Sequence, residues 1–199
     1  MCTMHQMLKK TRRIIGRTKE DNTQWCVAIV GMNGVGKTRL GKRLASKLHL
    51  KRLDSDALFL KRHGDPKQYI KEHGWEAFRK LEEVIILNAL KPGHLVVLSG
   101  GAIESETVRN SLKQNAAVLW IHAHPKRVTK QIREAKKERP EFAGGAVEHV
   151  AKKLVGERDH LYQEVANITI HKNIPFNQFV PISIAELRKH FRTTADGTD

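Results

Sequence analysis

Short apolar runs rich in β-branched residues alternate along the chain with longer stretches in which apolar residues recur at helical spacing. Trp25–Val30, Leu95–Ser99, Ala117–Ile121 and Asn167–His171, with a shorter run at Lys51–Asp54, read as strands. The apolar ones are nearly continuous rather than alternating, which suits a parallel sheet covered on both faces. Helical periodicity fills the gaps: from a glycine-rich turn to about Leu48, then Trp75–Leu90, Glu104–Lys113, Pro125–Lys136, Val147–Val165 and Ile182–Phe191. Pro66, Pro92-Gly93, Pro140 with Gly144-Gly145, and the stretch from Pro175 to Pro181 mark turns or loops. Strands and helices in this alternation predict an α/β domain.

The length of 199 residues fits one such domain. Lysine and arginine number 36 against 21 acidic residues, a net charge of +15 that calls for an anionic partner. Nucleic acid, a membrane surface and a small phosphorylated or carboxylated molecule all satisfy that demand, so motifs must choose. No apolar run approaches the roughly 18 residues of a membrane span, and no membrane partner is expected. Cys2 and Cys26 are the only cysteines, neither a disulfide framework nor a metal cluster, and they point to a reducing, cytoplasmic setting. Lys9, Lys10, Arg12, Arg13, Arg17 and Lys19 precede the first acid, Glu20, without the apolar segment of a secretory signal. Residues 1–24 therefore read as a flexible basic extension, with an organelle transit peptide as the alternative. The domain runs over 25–192, and 193–199 form a polar, disordered tail.

Gly31-Met32-Asn33-Gly34-Val35-Gly36-Lys37-Thr38 fits G-x-x-x-x-G-K-[ST], directly after an apolar strand and directly before a helix. Glycines in such a loop let successive backbone N–H groups converge on phosphate oxygens, and the helix N-terminus adds partial positive charge at the same point. Lys37 then reaches the β- and γ-phosphates, and the Thr38 hydroxyl can ligate Mg²⁺. A nucleoside triphosphate is the predicted ligand.

Mg²⁺ usually also takes a carboxylate, yet the third strand, Leu95–Ser99, ends without an acid. Asp54 and Asp56, after the short second strand, are the candidates. Two-residue spacing in extended chain points both side chains the same way, one for the metal and one for the substrate. The alternative makes Asp54 a helix cap and Asp56 a solvated acid. The missing strand-end acid argues against a motor, helicase or GTPase, and no N-K-x-D string for guanine occurs.

After the phosphate loop come Asp54-Ser55-Asp56, Gly74-Trp75-Glu76-Ala77-Phe78-Arg79 with Glu82, Ser99-Gly100-Gly101-Ala102, Arg139-Pro140, and Arg158 with Tyr162 and Ala166. In that order and spacing the chain resembles the shikimate kinase family over about Trp25 to Phe191. The resemblance implies a three-layer P-loop kinase fold, with a five-stranded parallel sheet, helices on both faces, a helical substrate-binding region and a mobile lid. It also implies transfer of the ATP γ-phosphoryl group to the 3-hydroxyl of shikimate, with ATP and Mg²⁺. By the same resemblance Gly34, Val35, Gly36, Lys37, Thr38 and Arg39 bind ATP, and Thr38 and Asp54 serve the metal. Asp56 would orient or deprotonate the attacking hydroxyl. Arg79 and Arg158 would grip the substrate carboxylate with their planar forks. Glu82, one helical turn after Arg79, would hold that arginine. Gly101 would offer its backbone N–H to a substrate hydroxyl. Arg139 would close from the lid over the phosphates and stabilise developing charge, which makes Lys37, Asp56 and Arg139 the catalytic candidates. For adenine only the Asn173–Val180 loop is a candidate.

The chain departs from the family pattern at Trp75, where a glutamate is usual, at Ala102, read as the third position of a glycine triplet, and at Glu141 in the lid. A kinase of another small hydroxylated acid is the neighbouring reading, and a catalytically weakened, ligand-binding relative is another. A nucleic-acid-binding ATPase finds little support, because aromatics are 6% of the chain and do not interleave with the basic clusters. The expected partner is a small-molecule acceptor, and the expected state a monomer.

Overall fold

The computed structural model describes residues 22–134 and 146–195. In chain order the elements are a 3₁₀ turn Asn22–Gln24, β1 Val27–Val30, α1 Lys37–Leu48, β2 Lys51–Asp54, α2 Ser55–His63 and α3 Pro66–Ala89. There follow β3 His94–Val97, a 3₁₀ turn Ala102–Glu104, α4 Glu106–Asn115, β4 Ala117–His122, α5 Pro125–Glu134, α6 Val147–Val165, β5 Ile168–His171 and α7 Phe176–Ala195. The five strands form one parallel sheet in the order β2-β3-β1-β4-β5, with Ile29 in register with Val97 on one side and Leu119 on the other. Strand order therefore reverses at β1, the place where open α/β sheets leave a crevice at the carboxyl ends of their strands.

The central strands are the apolar runs of the sequence, and β1, β3 and β4 are buried almost throughout. Helices α1 and α7 cover one face and α4 and α6 the other, so the sheet is covered on both sides as its composition requires. Asn22 anchors the chain before β1, its side-chain amide donating to Leu48 O (3.1 Å). At the other end α7 continues to Ala195, past the boundary read at 192.

Four local readings are corrected. The Asp54-Ser55-Asp56 stretch is not extended: β2 stops at Asp54 and α2 starts at Ser55, so Asp56 lies in the first turn of a helix that the sequence reading carries only in the alternative that makes Asp54 a cap. Pro66 does not mark a loop but begins α3, with Asp65 as its cap accepting from Lys67 N (3.2 Å), a position where a missing N–H costs nothing. Gly74 (φ 82°) interrupts α3, and the helix expected from Trp75 is its second part. Likewise α7 starts at Phe176 and carries Pro181 inside it, so most of the proposed adenine loop is helical. Pro181 removes one helical hydrogen bond, which burial of Phe179, Ile184 and Leu187 offsets.

Helix α2 and both parts of α3 build a lobe with its own small core. Phe59, Phe78 and Ile85 pack there with Tyr69, Ile70 and Leu81. The lobe overhangs the carboxyl ends of β2 and β3 and walls one side of the crevice. No helix among the described residues is long and apolar enough to cross a membrane. Arg139, Glu141 and the lid to which the sequence reading assigns them lie outside the described residues, as does the basic cluster Lys9–Lys19.

Candidate active site

The loop Gly31–Thr38 joins β1 to α1 at the reversal point of the sheet. Gly34 and Gly36 take positive φ (82° and 99°), which glycine adopts without steric cost and which turns the loop's N–H groups inward. Lys37 is buried, and its Nζ donates to Gly31 O (2.8 Å) and Met32 O (3.1 Å), so the amine spans the loop it belongs to. Arg39, in the first turn of α1, stacks on the Phe176 ring, its Cζ 3.9 Å from the ring centre.

Thr38 Oγ1 donates to Asp54 Oδ2 (3.0 Å). The other Asp54 oxygen caps α2, accepting from Ala57 N (3.4 Å), and Arg52 stands 3.7 Å away. Asp54 is thus both the helix cap and the carboxylate beside Thr38, two roles the sequence posed as alternatives. A hydroxyl and a carboxylate in contact at the mouth of a phosphate loop are hard oxygen donors of the kind that would hold Mg²⁺. Asp56 differs. Its carboxylate makes no hydrogen bond or ion pair among the described residues, and it faces a cavity of about 880 Å³.

That cavity runs from Thr38, Asp54 and Asp56 to Arg79 and Gly101, with Phe59, Ile70, Trp75 and Phe78 along one wall. Its volume lies in the range of small-molecule sites. Arg79 Nη1 pairs with Glu82 Oε2 (2.6 Å), the i,i+3 neighbour, and its Cζ lies 5.2 Å from the Trp75 ring centre. Gly101 lets the guanidinium lie close over the backbone, because a Cβ there would stand 2.1 Å from Arg79 Nη2 and displace it. Glu82 is itself buried and accepts from Ser99 Oγ (2.6 Å). Burial pushes the Glu82 carboxyl above the usual carboxylate range, against the pull of Arg79 and the Ser99 hydroxyl.

Ser99, two residues past the end of β3 and at the position where the sequence shows no acid, ties three parts of the site together. Besides bonding Glu82, its Oγ accepts from Ala102 N (3.2 Å), and its backbone N–H donates to Ser55 Oγ at the start of α2 (2.9 Å). Tyr162, fully buried on α6, donates to Gly100 O (2.6 Å), and burial pushes its phenol well up. Arg158, one turn earlier on α6, is also buried and pairs with Glu104. Gly34, Val35, Gly36, Lys37 and Thr38 are therefore gathered at the loop, and Asp54, Asp56, Arg79, Glu82 and Gly101 around the cavity; Arg158 stands behind Arg79. Sequence reasoning missed Ser99 and Glu104 as site residues. It missed Lys172 as well, though a lysine directly after the fifth strand was a usable signal.

Lys172 Nζ donates to Gln131 Oε1 (2.7 Å) and reaches Gly34 O (3.5 Å), on the outer side of the phosphate loop. Burial, with Arg127 and Arg39 nearby, lowers its pKa to about 8. A triphosphate bound in the loop favours the protonated amine, so binding above that pH takes up a proton and ATP affinity falls as pH rises through about 8. The KM for ATP should accordingly rise severalfold over that interval in the wild type. In Lys172→Met the KM should stay flat, which steady-state kinetics across the alkaline range checks.

Phosphoryl transfer from a nucleoside triphosphate to a small molecule is the chemistry this layout serves, and the fold places the chain among the P-loop kinases. Within that class the chain belongs to the shikimate kinase family. The family model described as shikimate kinase matches residues 33–186. Shikimate kinase of Vibrio vulnificus is 32% identical over 148 residues, which span 72% of this chain and 84% of the relative. That of Nitrobacter winogradskyi is 31% identical over 166 residues, 82% of this chain and 77% of the relative. The solved shikimate kinase from Acinetobacter baumannii in complex with shikimate superposes with a TM-score of 0.79 at 26% identity, over 87% of this chain and 98% of that one.

Proposed function

We propose that the protein transfers the γ-phosphoryl group of ATP to the 3-hydroxyl of shikimate. The observation that carries this reading is that one cavity begins at the phosphate loop with Asp56, a carboxylate unbonded among the described residues, and ends on the guanidinium of Arg79. A small hydroxy acid spans those two ends, its carboxylate on the arginine and a hydroxyl at Asp56. In the reaction the hydroxyl oxygen attacks the γ-phosphorus, the bond to the β-phosphate oxygen breaks and ADP departs. The hydroxyl proton passes to Asp56 or through it to water. Lys37 and the loop N–H groups hold the β- and γ-oxygens, and Thr38 and Asp54 would hold Mg²⁺. That ion would supply charge neutralisation on the triphosphate. Arg158 would complete the carboxylate grip, and Arg139 would bring a further positive charge from the lid. One copy of the chain supplies every residue in this scheme, so a monomer in the cytoplasm suffices.

Coupled measurement of ADP release tests the reading. Shikimate should raise turnover well above the rate with ATP alone, and no stimulation by shikimate or any related hydroxy acid would sink it. Stimulation by another hydroxy acid in place of shikimate would reassign the acceptor, an outcome to which Trp75 in the cavity wall gives particular weight. Arg79→Ala should raise the KM for shikimate about thirtyfold, as expected when one partner of a charge-assisted pair is removed, and leave the KM for ATP little changed.

A further inference from the structure

Arg79 and Arg158 come from different elements, α3 and α6, yet one carboxylate joins them. Glu104 Oε1 accepts from Arg158 Nε (2.9 Å) and Nη2 (2.8 Å), while Glu104 Oε2 accepts from Arg79 Nη2 (3.3 Å). The bridge lies behind the large cavity rather than in it. Arg79 lines that cavity, whereas Glu104 lines a separate hollow of about 260 Å³ on the far side of Arg79. The backbone that carries Glu104 is itself pinned. Its N–H donates to Gly101 O (3.1 Å), and its C=O, with that of Ile103, accepts from Arg109 Nη1 (3.0 and 2.9 Å).

What the bridge leaves free matters as much. The Arg158 side chain is 4% exposed, and its Nη1 is buried with no hydrogen-bond partner among the described residues. An orphaned guanidinium nitrogen in a buried position is costly unless something supplies an acceptor. We infer that Glu104 is a positioning residue: it sets Arg158 at a fixed distance and angle from Arg79, and so prepares two guanidinium groups from separate helices to receive one substrate carboxylate. The inference rests on the proposed function and extends it to a residue outside the cavity. A guanidinium on a long side chain loses rotamer freedom when it grips an anion. A carboxylate that fixes it beforehand removes that cost from the binding step.

The test compares wild type with Glu104→Ala, Glu104→Gln and Glu104→Asp, using calorimetry for ligand affinity and the coupled assay for turnover. The ligands are shikimate and its methyl ester, which keeps the ring and hydroxyls but carries no charge. Glu104→Ala should weaken shikimate binding about tenfold, a loss of the size found when a supporting charge pair is broken, with the change in KM rather than kcat. Glu104→Gln, which keeps an acceptor oxygen, should recover part of that affinity. Affinity for the methyl ester should be the same in all four proteins, because no carboxylate is left to be gripped. A penalty of equal size with the ester would mean general damage to the fold and would overturn the inference. Unchanged or tighter shikimate binding in Glu104→Ala would overturn it too, the latter because Glu104 would then compete for the arginines. Wild-type protein that binds shikimate without phosphorylating it would refute the proposed function and leave the role of Glu104 standing.

Discussion

Replacing Lys37 with methionine is expected to lower kcat by about a thousandfold, the loss that follows removal of one preorganised charge from the place where charge develops in a transition state. The amine lies within a buried loop, 2.8 Å from Gly31 O and 3.1 Å from Met32 O, so little water is present to screen it. Its positive charge is therefore fixed before the phosphates arrive, and no reorganisation is needed when the γ-phosphoryl group moves. Methionine keeps the length and apolar volume of the stem, so the substitution removes the charge together with the hydrogen bonds to Gly31 O and Met32 O. Those bonds link a cation to carbonyls, and their loss should cost about 1–3 kcal/mol of stability, leaving the protein folded for assay. Single-turnover measurement at saturating ATP and acceptor separates the chemical step from weakened nucleotide binding. A fall of less than tenfold there would mean that Lys37 does not face the transferred group.

The parts of the molecule that were legible in the sequence are those whose cause is local. A continuous apolar run such as Val27–Val30 has to be a strand buried on both faces, and the glycines and lysine of the phosphate loop act within eight consecutive residues. Arg79 and Glu82 meet because three residues make nearly one helical turn. The lobe formed by α2 and α3 was harder to read. Helix α2 follows its strand without an intervening loop, and its cap, Asp54, is also the last residue of β2. Turn residues misled at α7, where the prolines suggested a loop while Phe179, Ile184 and Leu187 supply enough buried surface to keep the chain helical around Pro181.

The pairing of Glu104 with Arg158 had no sequence signal at all. The two are 54 residues apart and meet only because α6 packs against the Ala102–Glu104 turn. Ser99 carries the same lesson in another form. Just after β3 the sequence shows the lack of an acid, whereas the structure shows a hydroxyl that holds Glu82 and, through it, Arg79. The end of that strand serves the acceptor side of the cavity, and the carboxylate beside Thr38 comes from β2 instead.

Asp56→Asn is expected to lower kcat about a hundredfold to a thousandfold, within the range lost with a general base, while leaving thermal stability nearly unchanged. The two halves of that expectation have one cause. Asp54 is held by Thr38, by Ala57 N and by Arg52, so its replacement would disturb a helix cap as well as the site. Asp56 is held by nothing among the described residues, and no bond is lost when its charge is removed. It sits in the first turn of α2, where a negative charge interacts favourably with the helix dipole, so asparagine should cost less than about 1 kcal/mol. Against that loss stands a gain. The negative charge of Asp56 helps to push the buried Glu82 carboxyl upward, which means the two acids repel across the cavity, and neutralising Asp56 relieves the repulsion. Asparagine preserves shape and can still accept a hydrogen bond from the acceptor hydroxyl, so the KM for shikimate should move by less than about threefold. A variant that melts near the wild-type temperature, binds shikimate and turns over slowly would therefore assign the missing rate to the carboxylate charge at the attacking oxygen. Full activity in Asp56→Asn would remove Asp56 from proton transfer and leave catalysis to positioning and to the charges around the phosphates.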